Sequence, residues 1–386
     1  MNVMGNNNKS SLSENKIIII CTTDSMISSF LIPYIEKFTR DGYEVQCFCS
    51  RTGAGFDKLL QKNIDVNDVS FTRFPVSVGN LKGYHKLKKS IRKSGARMIF
   101  CHEPVGGFMG RMVGHQRKIP VVYMAHGFHF FKGAPRINWM LYYPIERLSS
   151  YFTNVLITIN NEDYDIAKQH MHAKKTEYLP GVGIDTRRFA FDPELRASIR
   201  KDFGLSDEDV AMISVGELNI NKNHIVILEA MNMLKNKNLH YFIAGVGDQE
   251  KLLLSKAQEY GLENNFHLLG YRTDCDSLYS AMDIFCFPSY REGLSVALME
   301  AMSCGLPVIA SHIRGNVDLI DPKGGMLIDP CNAGGFAEAI DKLIKSEEYR
   351  LKLGKYNSEK IRDYSIKSVI PQFENSVKDI LSQEVV

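Results

Sequence analysis

The chain has 386 residues, 44% of them hydrophobic and 24% charged, with a formal net charge of +3. This is ordinary globular composition, long enough for two domains, and the charge balance gives no reason to expect a nucleic-acid partner. The eight cysteines include no CxxC pair, and Cys47 and Cys49 lie two apart in a strand-like run. Their use fits reduced thiols in a cytosolic protein rather than a zinc clamp or a disulfide framework.

Residues 1–14 are rich in Asn, Ser and Lys and read as a disordered tail. The apolar run Ile17–Ile20 is too short for a signal-peptide core, and no run reaches the ~18 apolar residues of a membrane span. KIIIIC (16–21) reads as a strand, Ser28–Arg40 as a helix and YEVQCFCS as a second strand. A basic helix follows around Leu81–Ser94, then the strand ARMIFC, a helix near Gly106–Gly114 and the strand IPVVYMA. TNVLITI (153–159) is another strand followed by a helix, and PGVGIDTRRFAFDP (180–193) breaks the pattern as a linker. The alternation then restarts with VAMISVG (210–216), a helix from Ile225, YFIAGVG (241–247), a helix from Asp248 and NFHLLG (265–270). MDIFCFP, a helix after Glu292, LPVIAS, a helix over Ala333–Ser346 and an amphipathic helix over roughly Ile366–Ser382 complete the chain.

Strands alternating with helices predict α/β architecture with parallel sheets covered on both faces. Two such sheets in succession predict an N-terminal domain over residues 15–185 and a C-terminal domain over 186–365. A final segment, 366–386, would pack back on the first domain. Ligands of open α/β sheets sit beyond the carboxyl ends of the strands, so a cleft between two such domains is the expected site.

The stretch SYREGLSVALMEAMSCGLPVIAS, 289–311, carries the chemistry. Ser295 suits an N-cap for a helix over Val296–Ser303, Gly305 suits the C′ position, and Pro307 lies beyond it. Such a helix N-terminus suits a phosphate, and Gly293 permits close approach of a ligand to the backbone. Glu300 lies five residues into the helix, roughly 7 Å along the axis at ~1.5 Å per residue. That is about the reach from a diphosphate to the ribose of the same nucleotide. Glu292 lies on the other side of the phosphates, where an attached sugar would be. On the residues alone, Glu300 is equally a half-exposed helix carboxylate and Glu292 a loop charge.

The Glu-x7-Glu pair in REGLSVALMEAMSCGLPVIAS resembles the signature of retaining GT-B glycosyltransferases of family 4. The resemblance implies two Rossmann-like domains facing a cleft and transfer of a sugar from a nucleotide-sugar. It places Glu300 on ribose, Glu292 beside the donor sugar, and Gly293, Leu294 and Ser295 around the phosphates. SVGELNINKNH (214–224) resembles the strand–loop holding Gly216, Glu217 and a phosphate-binding Lys222. FIAGVGDQEKL (242–252) resembles the Gly-rich turn with Gly245 and Gly247, and FHLLGYRTD (266–274) the segment, with Tyr271 and Arg272, that faces the base. The first half matches more loosely, through ARMIFCHEPVGGFMGR, VVYMAHGFHFFKGAP, VLITINNEDY and YLPGVGIDTRRF. HGFHFFKGAP is similar to the branch that builds bacterial capsular or exopolysaccharide repeat units.

Two departures stand out. The family pairs its lysine with an arginine five residues earlier, and here that position is Glu217, with Arg272, Asn221 or the helix N-terminus left to compensate. The family's Gly-Gly-rich N-terminal loop is here TTDSMISS (22–29). His126, following VVYMA, matches a histidine that touches the donor sugar, so the expected catalytic set is His126, Glu292 and Lys222. His129 reads as structural or acceptor-side, and Glu103, in CHEP, as a local loop carboxylate or an acceptor-side one. There is no DxD and no His/Asp/Glu cluster at metal-ligand spacing, so metal-independent chemistry without a cofactor is expected, with Lys222 and the helix dipole offsetting leaving-group charge.

Lys82, Lys86, Lys88, Lys89, Arg92, Lys93 and Arg97 lie close together, with Leu81, Tyr84, Leu87 and Ile91 at helical spacing among them. This reads as a solvated helix face or as a basic amphipathic helix on an anionic membrane surface. The aromatics Phe128, Phe130, Phe131, Trp139, Tyr142 and Tyr143 suit an interface or a core. The expected partners are a UDP-sugar, uridine being chosen on family frequency, and a polyprenyl-diphosphate-linked or other glycan acceptor. The expected place is the cytoplasm, peripherally at the inner face of the cell membrane. A nucleotide-sugar epimerase of the same shape and a non-catalytic partner subunit are the alternatives.

Overall fold

The computed structural model describes residues 15–53, 55–74, 77–91 and 95–382. The expected tail at 1–14, and Arg92 and Lys93, lie outside the described residues. The chain forms two compact units. The first takes the chain up to Ile159, Asp163–Leu179 and the chain from Ile370, and the second takes Asn160–Glu162 and Pro180–Val369.

The first unit holds β1 (Lys16–Thr23), β2 (Glu44–Ser50), β3 (Val66–Asp68), β4 (Ala96–His102), β5 (Val121–Ala125), β6 (Val155–Thr158) and β7 (Lys175–Tyr178). They form one sheet in the order β3-β2-β1-β4-β5-β6-β7, every pair parallel. Ile17, Ile18, Ile19 and Ile20 are all 0% exposed. Successive side chains of a strand point to opposite faces, so both faces of β1 are covered, which is why its sequence is continuously apolar. Phe373, on the terminal helix Ile366–Leu381, adds edge and tilted ring contacts at 5.0 Å to Tyr34 and 4.8 Å to Phe100.

The second unit holds β8 (Val210–Val215), β9 (Leu239–Ala244), β10 (Phe266–Gly270), β11 (Ile284–Phe287), β12 (Val308–Ser311) and β13 (Gly325–Ile328). Their order is β10-β9-β8-β11-β12-β13, again parallel. In each unit the strand order reverses beside the first strand, at β1/β4 and at β8/β11. These are the switch points where the following loops diverge and leave room for a ligand.

Several local expectations change. The first helix begins at Asp24 and passes through a π-type stretch, Ile27–Leu31, before Ile32–Arg40. Pro33 lacks the N–H that an α-helix would donate one turn back, so the ladder widens ahead of it. The segment 180–193, which opens the main stretch of the second unit at Pro180, is packed: Val182, Ile184 and Phe189 are buried, and Ile184 bridges Ser365. The aromatic segment is largely core: Phe128 and Phe130 are buried, and Trp139, Tyr142 and Tyr143 pack against them from the helix Arg136–Ser150.

Candidate active site

The loop after β8 is built around Lys222. Asn219 accepts the Lys222 backbone N–H at 3.0 Å and caps the short turn Ile220–Lys222. Asn223 turns the chain with a left-handed φ of 53°, and its buried amide donates to the carbonyls of Pro288 at 3.1 Å and Pro330 at 2.8 Å. That clamp ties the lysine turn to the carboxyl ends of β11 and β13. The Lys222 ammonium lies 2.7 Å from the Glu292 carboxylate and 4.9 Å from the centre of the Phe287 ring. Glycine suits position 216 because its φ of 155° is one that side chains rarely adopt, and a Cβ there would press on Lys222 Cε at 3.1 Å.

The loop carrying Glu292 is held from the same turn. The Tyr290 N–H donates to the Asn221 carbonyl at 2.8 Å, and the Asn221 side chain donates to the Arg291 carbonyl at 3.0 Å. Asn221 is therefore a brace for this loop. Ser295 Oγ accepts the Leu298 N–H at 3.3 Å and caps Val296–Ser303, as its residue type predicts. Gly293 and the buried Leu294 stand just ahead of that helix start.

Glu300 sits on the same helix, half-buried, with the Tyr279 hydroxyl 3.3 Å from its carboxylate. Burial raises its pKa to about 7, against a lowering by Tyr279 and Arg188. A carboxyl kept out of water with one internal donor is a group with acceptor capacity left for a ligand.

The remaining expected donor-site residues stand as follows. Glu217 is exposed and accepts the Asn219 amide at 2.8 Å. Gly245 and Gly247 are needed by a neighbouring loop: a Cβ on Gly245 would lie 1.8 Å from the Gly216 carbonyl oxygen, and one on Gly247 2.2 Å from that of Leu218. Arg272 is held by Asp274 through two contacts, at 2.8 and 2.5 Å, and Tyr271 is exposed just past the end of β10.

In the first unit, His126 follows β5 and His102 ends β4. His102 Nδ1 and His126 Nε2 are 3.0 Å apart. Burial holds both imidazoles neutral, lowering His126 to about 4 and His102 well below its usual value. Glu103 is a local brace: with φ of 60°, its carboxylate accepts the N–H groups of Thr22 at 2.7 Å and Thr23 at 3.3 Å. The His129 ring lies tilted against Tyr142 with centres 4.5 Å apart, and its carbonyl accepts the Asn138 amide at 3.0 Å.

Residues 196–360 match the family model described as Glycosyl transferases group 1, and residues 16–160 match Glycosyl transferase 4-like. The chain is 34% identical over 347 residues to EpsD of Bacillus subtilis, which is named provisionally as a glycosyltransferase, covering 88% of this chain and 90% of that one. The chain belongs to the GT-B glycosyltransferases of family 4. It is also 27% identical to the UDP-Gal:alpha-D-GlcNAc-diphosphoundecaprenol alpha-1,3-galactosyltransferase of Escherichia coli, over 79% of this chain and 81% of that one. The fold matches the crystal structure of Anabaena HepE in complex with UDP, with TM-score 0.81, 20% identity and coverage of 94% of this chain and 100% of that one.

The structure of this glycosyltransferase gathers Gly216, Lys222, Glu292, Gly293, Ser295 and Glu300 at the β8/β11 switch point of the second unit. Sequence reasoning placed His102 at a strand end without its partner His126, and it missed Asn219, Asn223 and Tyr279. The two asparagines flanking Lys222 were the available signal, since Asn favours both caps and left-handed turns. Nothing local marks Tyr279 or tells which partner His102 meets, because Glu300 and His126 lie on other elements. No cluster of three potential metal ligands occurs among the described residues, and no described helix is long and apolar enough to cross a membrane.

Proposed function

We propose that this glycosyltransferase uses a UDP-sugar and transfers the sugar, with retention and without a metal, to a polyprenyl-diphosphate-linked glycan in bacterial surface polysaccharide synthesis. The observation that carries the reading is the Lys222–Glu292 pair, 2.7 Å apart, beside the N-terminus of the helix that bears Glu300. A diphosphate at that N-terminus takes the Lys222 ammonium from Glu292. Glu292 is then released to accept hydroxyl protons of the donor sugar, and Glu300 accepts those of the ribose. Lys222 and the amides near Gly293–Ser295 stabilise the departing diphosphate. No side chain at the site is a nucleophile poised for a covalent intermediate. Retention then follows from attack on the face the diphosphate leaves, with a phosphate oxygen taking the acceptor proton. By the family's pattern His126, whose imidazole burial keeps neutral, is the expected hydrogen-bonding group for the sugar.

The names of the relatives support the donor and acceptor classes: the Escherichia coli protein is named for UDP-galactose and a diphosphoundecaprenol acceptor, and the Anabaena structure holds UDP. Peripheral contact with the inner face of the membrane, through the basic helix of the first unit, fits a lipid-linked acceptor.

Calorimetric titration of UDP and GDP, with EDTA present, tests the donor site. UDP binds, and Glu300→Ala weakens it about tenfold or more, the loss expected for hydrogen bonds to a charged group. Preference for GDP, or no binding to a folded protein, sinks the uridine reading. Release of UDP only when a lipid-linked glycan is added, with the axial or equatorial bond of the product read by NMR, separates a retaining transferase from an epimerase or a non-catalytic subunit.

A further inference from the structure

The helix Arg136–Ser150 is apolar on two sides. Trp139, Tyr142 and Tyr143 pack against the core, yet Ile137 is 63% exposed, Met140 73%, and Leu148 and the C-cap Tyr151 59% each. Pro144 between them is exposed as well. At roughly 100° per residue these five positions fall within an arc of about 80°, on the side away from Trp139 and the buried Glu146. A surface helix normally carries polar residues on that side, so a contiguous apolar stripe marks contact with something apolar.

The surrounding charge selects what can cover the stripe. Arg136 and Arg147 are exposed along one flank of it. From Val69 to Asn161 the only acidic residues of the sequence are Glu103 and Glu146. Neither opposes an anionic partner: Glu146 is buried against Arg111, and Glu103 is engaged by the Thr22 and Thr23 amides. The helix Val78–Ser90, with Lys82, Lys86 and Lys89 exposed, covers the same side of the first sheet. Its Leu87 shares one core with Met109, Trp139 and Tyr143, and the strand residues of that core alternate, as Ile18 with Ile20 and Ile99 with Cys101 do, so they line one sheet face. A second copy of the chain suits the stripe poorly, because an isologous pair sets the arginines of one copy against the same arginines of the other. An anionic lipid surface suits both features: the apolar side chains enter the acyl boundary and the guanidinium groups reach the phosphates.

We propose that the outer face of the helix Arg136–Ser150 is the membrane-inserting surface of this chain, seated in the head-group boundary of an anionic bilayer to which the lysines of the helix Val78–Ser90 draw the first unit. The inference rests on the lipid-linked acceptor of the proposed function. Its test is co-sedimentation with vesicles of equal parts phosphatidylglycerol and phosphatidylcholine. The variants are the triple substitution Ile137→Ser, Met140→Ser and Leu148→Ser and, on the second unit, Leu351→Ser, which is 65% exposed in the wild type. The triple variant changes no charge. It is expected to weaken partition into the vesicles about tenfold or more, with UDP affinity and unfolding midpoint at wild-type values, while Leu351→Ser sediments as the wild type does. Trp139, the chain's only tryptophan, is expected to lose fluorescence on vesicles with brominated acyl chains, and to lose less in the triple variant. Equal sedimentation of the triple variant and the wild type, or a wild-type protein that stays off the vesicles, overturns the proposal. So does a wild-type dimer in analytical ultracentrifugation that the triple variant turns into a monomer, which gives the stripe to a second copy. Stripe-dependent vesicle binding by a protein that transfers no sugar to a lipid-linked glycan upholds the surface and sinks the acceptor reading instead.

Discussion

At the scale of the residue, Glu300 and the His102–His126 pair show how burial sets protonation. A carboxyl raised to about 7 is protonated in the folded state over a range where the unfolded chain has already ionised. The folded state then binds the extra proton, so the contribution of Glu300 to stability falls as pH rises from the ordinary carboxylate range through about 7. Glu300→Gln should therefore melt higher than wild type at pH 8, by roughly 2–4 °C for each kcal/mol recovered, and no higher at pH 4. Uridine affinity should rise from pH 6 to 8 in the wild type and stay flat in Glu300→Gln, uridine being used because the terminal phosphate of UDP titrates in the same range; a wild-type uridine affinity independent of pH would count against a ribose-binding carboxylate here. For the histidines, His102 Nε2 is buried without a partner. A buried orphan N–H is rarer than an orphan acceptor, so the proton of the shared bond belongs to His102 Nδ1. His126 then carries its own proton on Nδ1 and offers it as a donor. Long-range proton–nitrogen NMR should find His126 as the Nδ1–H tautomer, and finding the Nε2–H form refutes this assignment.

At the scale of the element, close approach is bought by small residues and secured by a buried charge pair. The helix Pro104–Arg117 lies against the first sheet because Gly106, Gly107, Gly110 and Gly114 face it: a Cβ on Gly107 would fall 2.4 Å from the Tyr123 ring. On the same helix Arg111 sits 2.8 Å from Glu146 of the helix Arg136–Ser150, with side-chain exposures of 1% and 8%. Its guanidinium stacks 4.0 Å over the Tyr123 ring, and the Tyr123 hydroxyl adds a bond to Glu146 at 3.2 Å. Removing one partner strands the other charge. Arg111→Met should cost about 3–5 kcal/mol in denaturant unfolding of the first unit, and adding Glu146→Leu should restore much of it. A single variant as stable as wild type would show the pair to be dispensable.

At the scale of the molecule, the first unit presents a basic surface whose composition differs from the sequence expectation. Lys82, Lys86 and Lys89 are exposed on the helix Val78–Ser90, with Lys88 half-buried beside them. Leu87 and Ile91 are buried in the core, so the apolar stripe read at helical spacing faces inward, except for Leu81 at 58% exposure. Arg97 belongs to the fold, donating to the Leu381 carbonyl at 2.5 Å. Each exposed cation contributes about 1 kcal/mol on an anionic surface. Replacing Lys82, Lys86 and Lys89 with Glu should abolish co-sedimentation with phosphatidylglycerol vesicles and leave UDP binding intact, while phosphatidylcholine vesicles capture neither protein. Unchanged sedimentation would remove the membrane from the reading.

The sequence by itself determined the two-sheet plan, because parallel strands buried on both faces must be written as apolar runs such as KIIIIC and VAMISV. It also determined the donor helix, because an N-cap serine, a C′ glycine and two glutamates are local signals. The short or half-polar strands β3 and β7 were not legible, since VND and KTEY carry no apolar run. Only the tertiary structure decided that Gly245 and Gly247 serve a neighbouring loop and that His102 pairs with His126. Such contacts join loops from different strands of one sheet, and their partners lie dozens of residues apart in the chain, where neither spacing nor periodicity can report a distance.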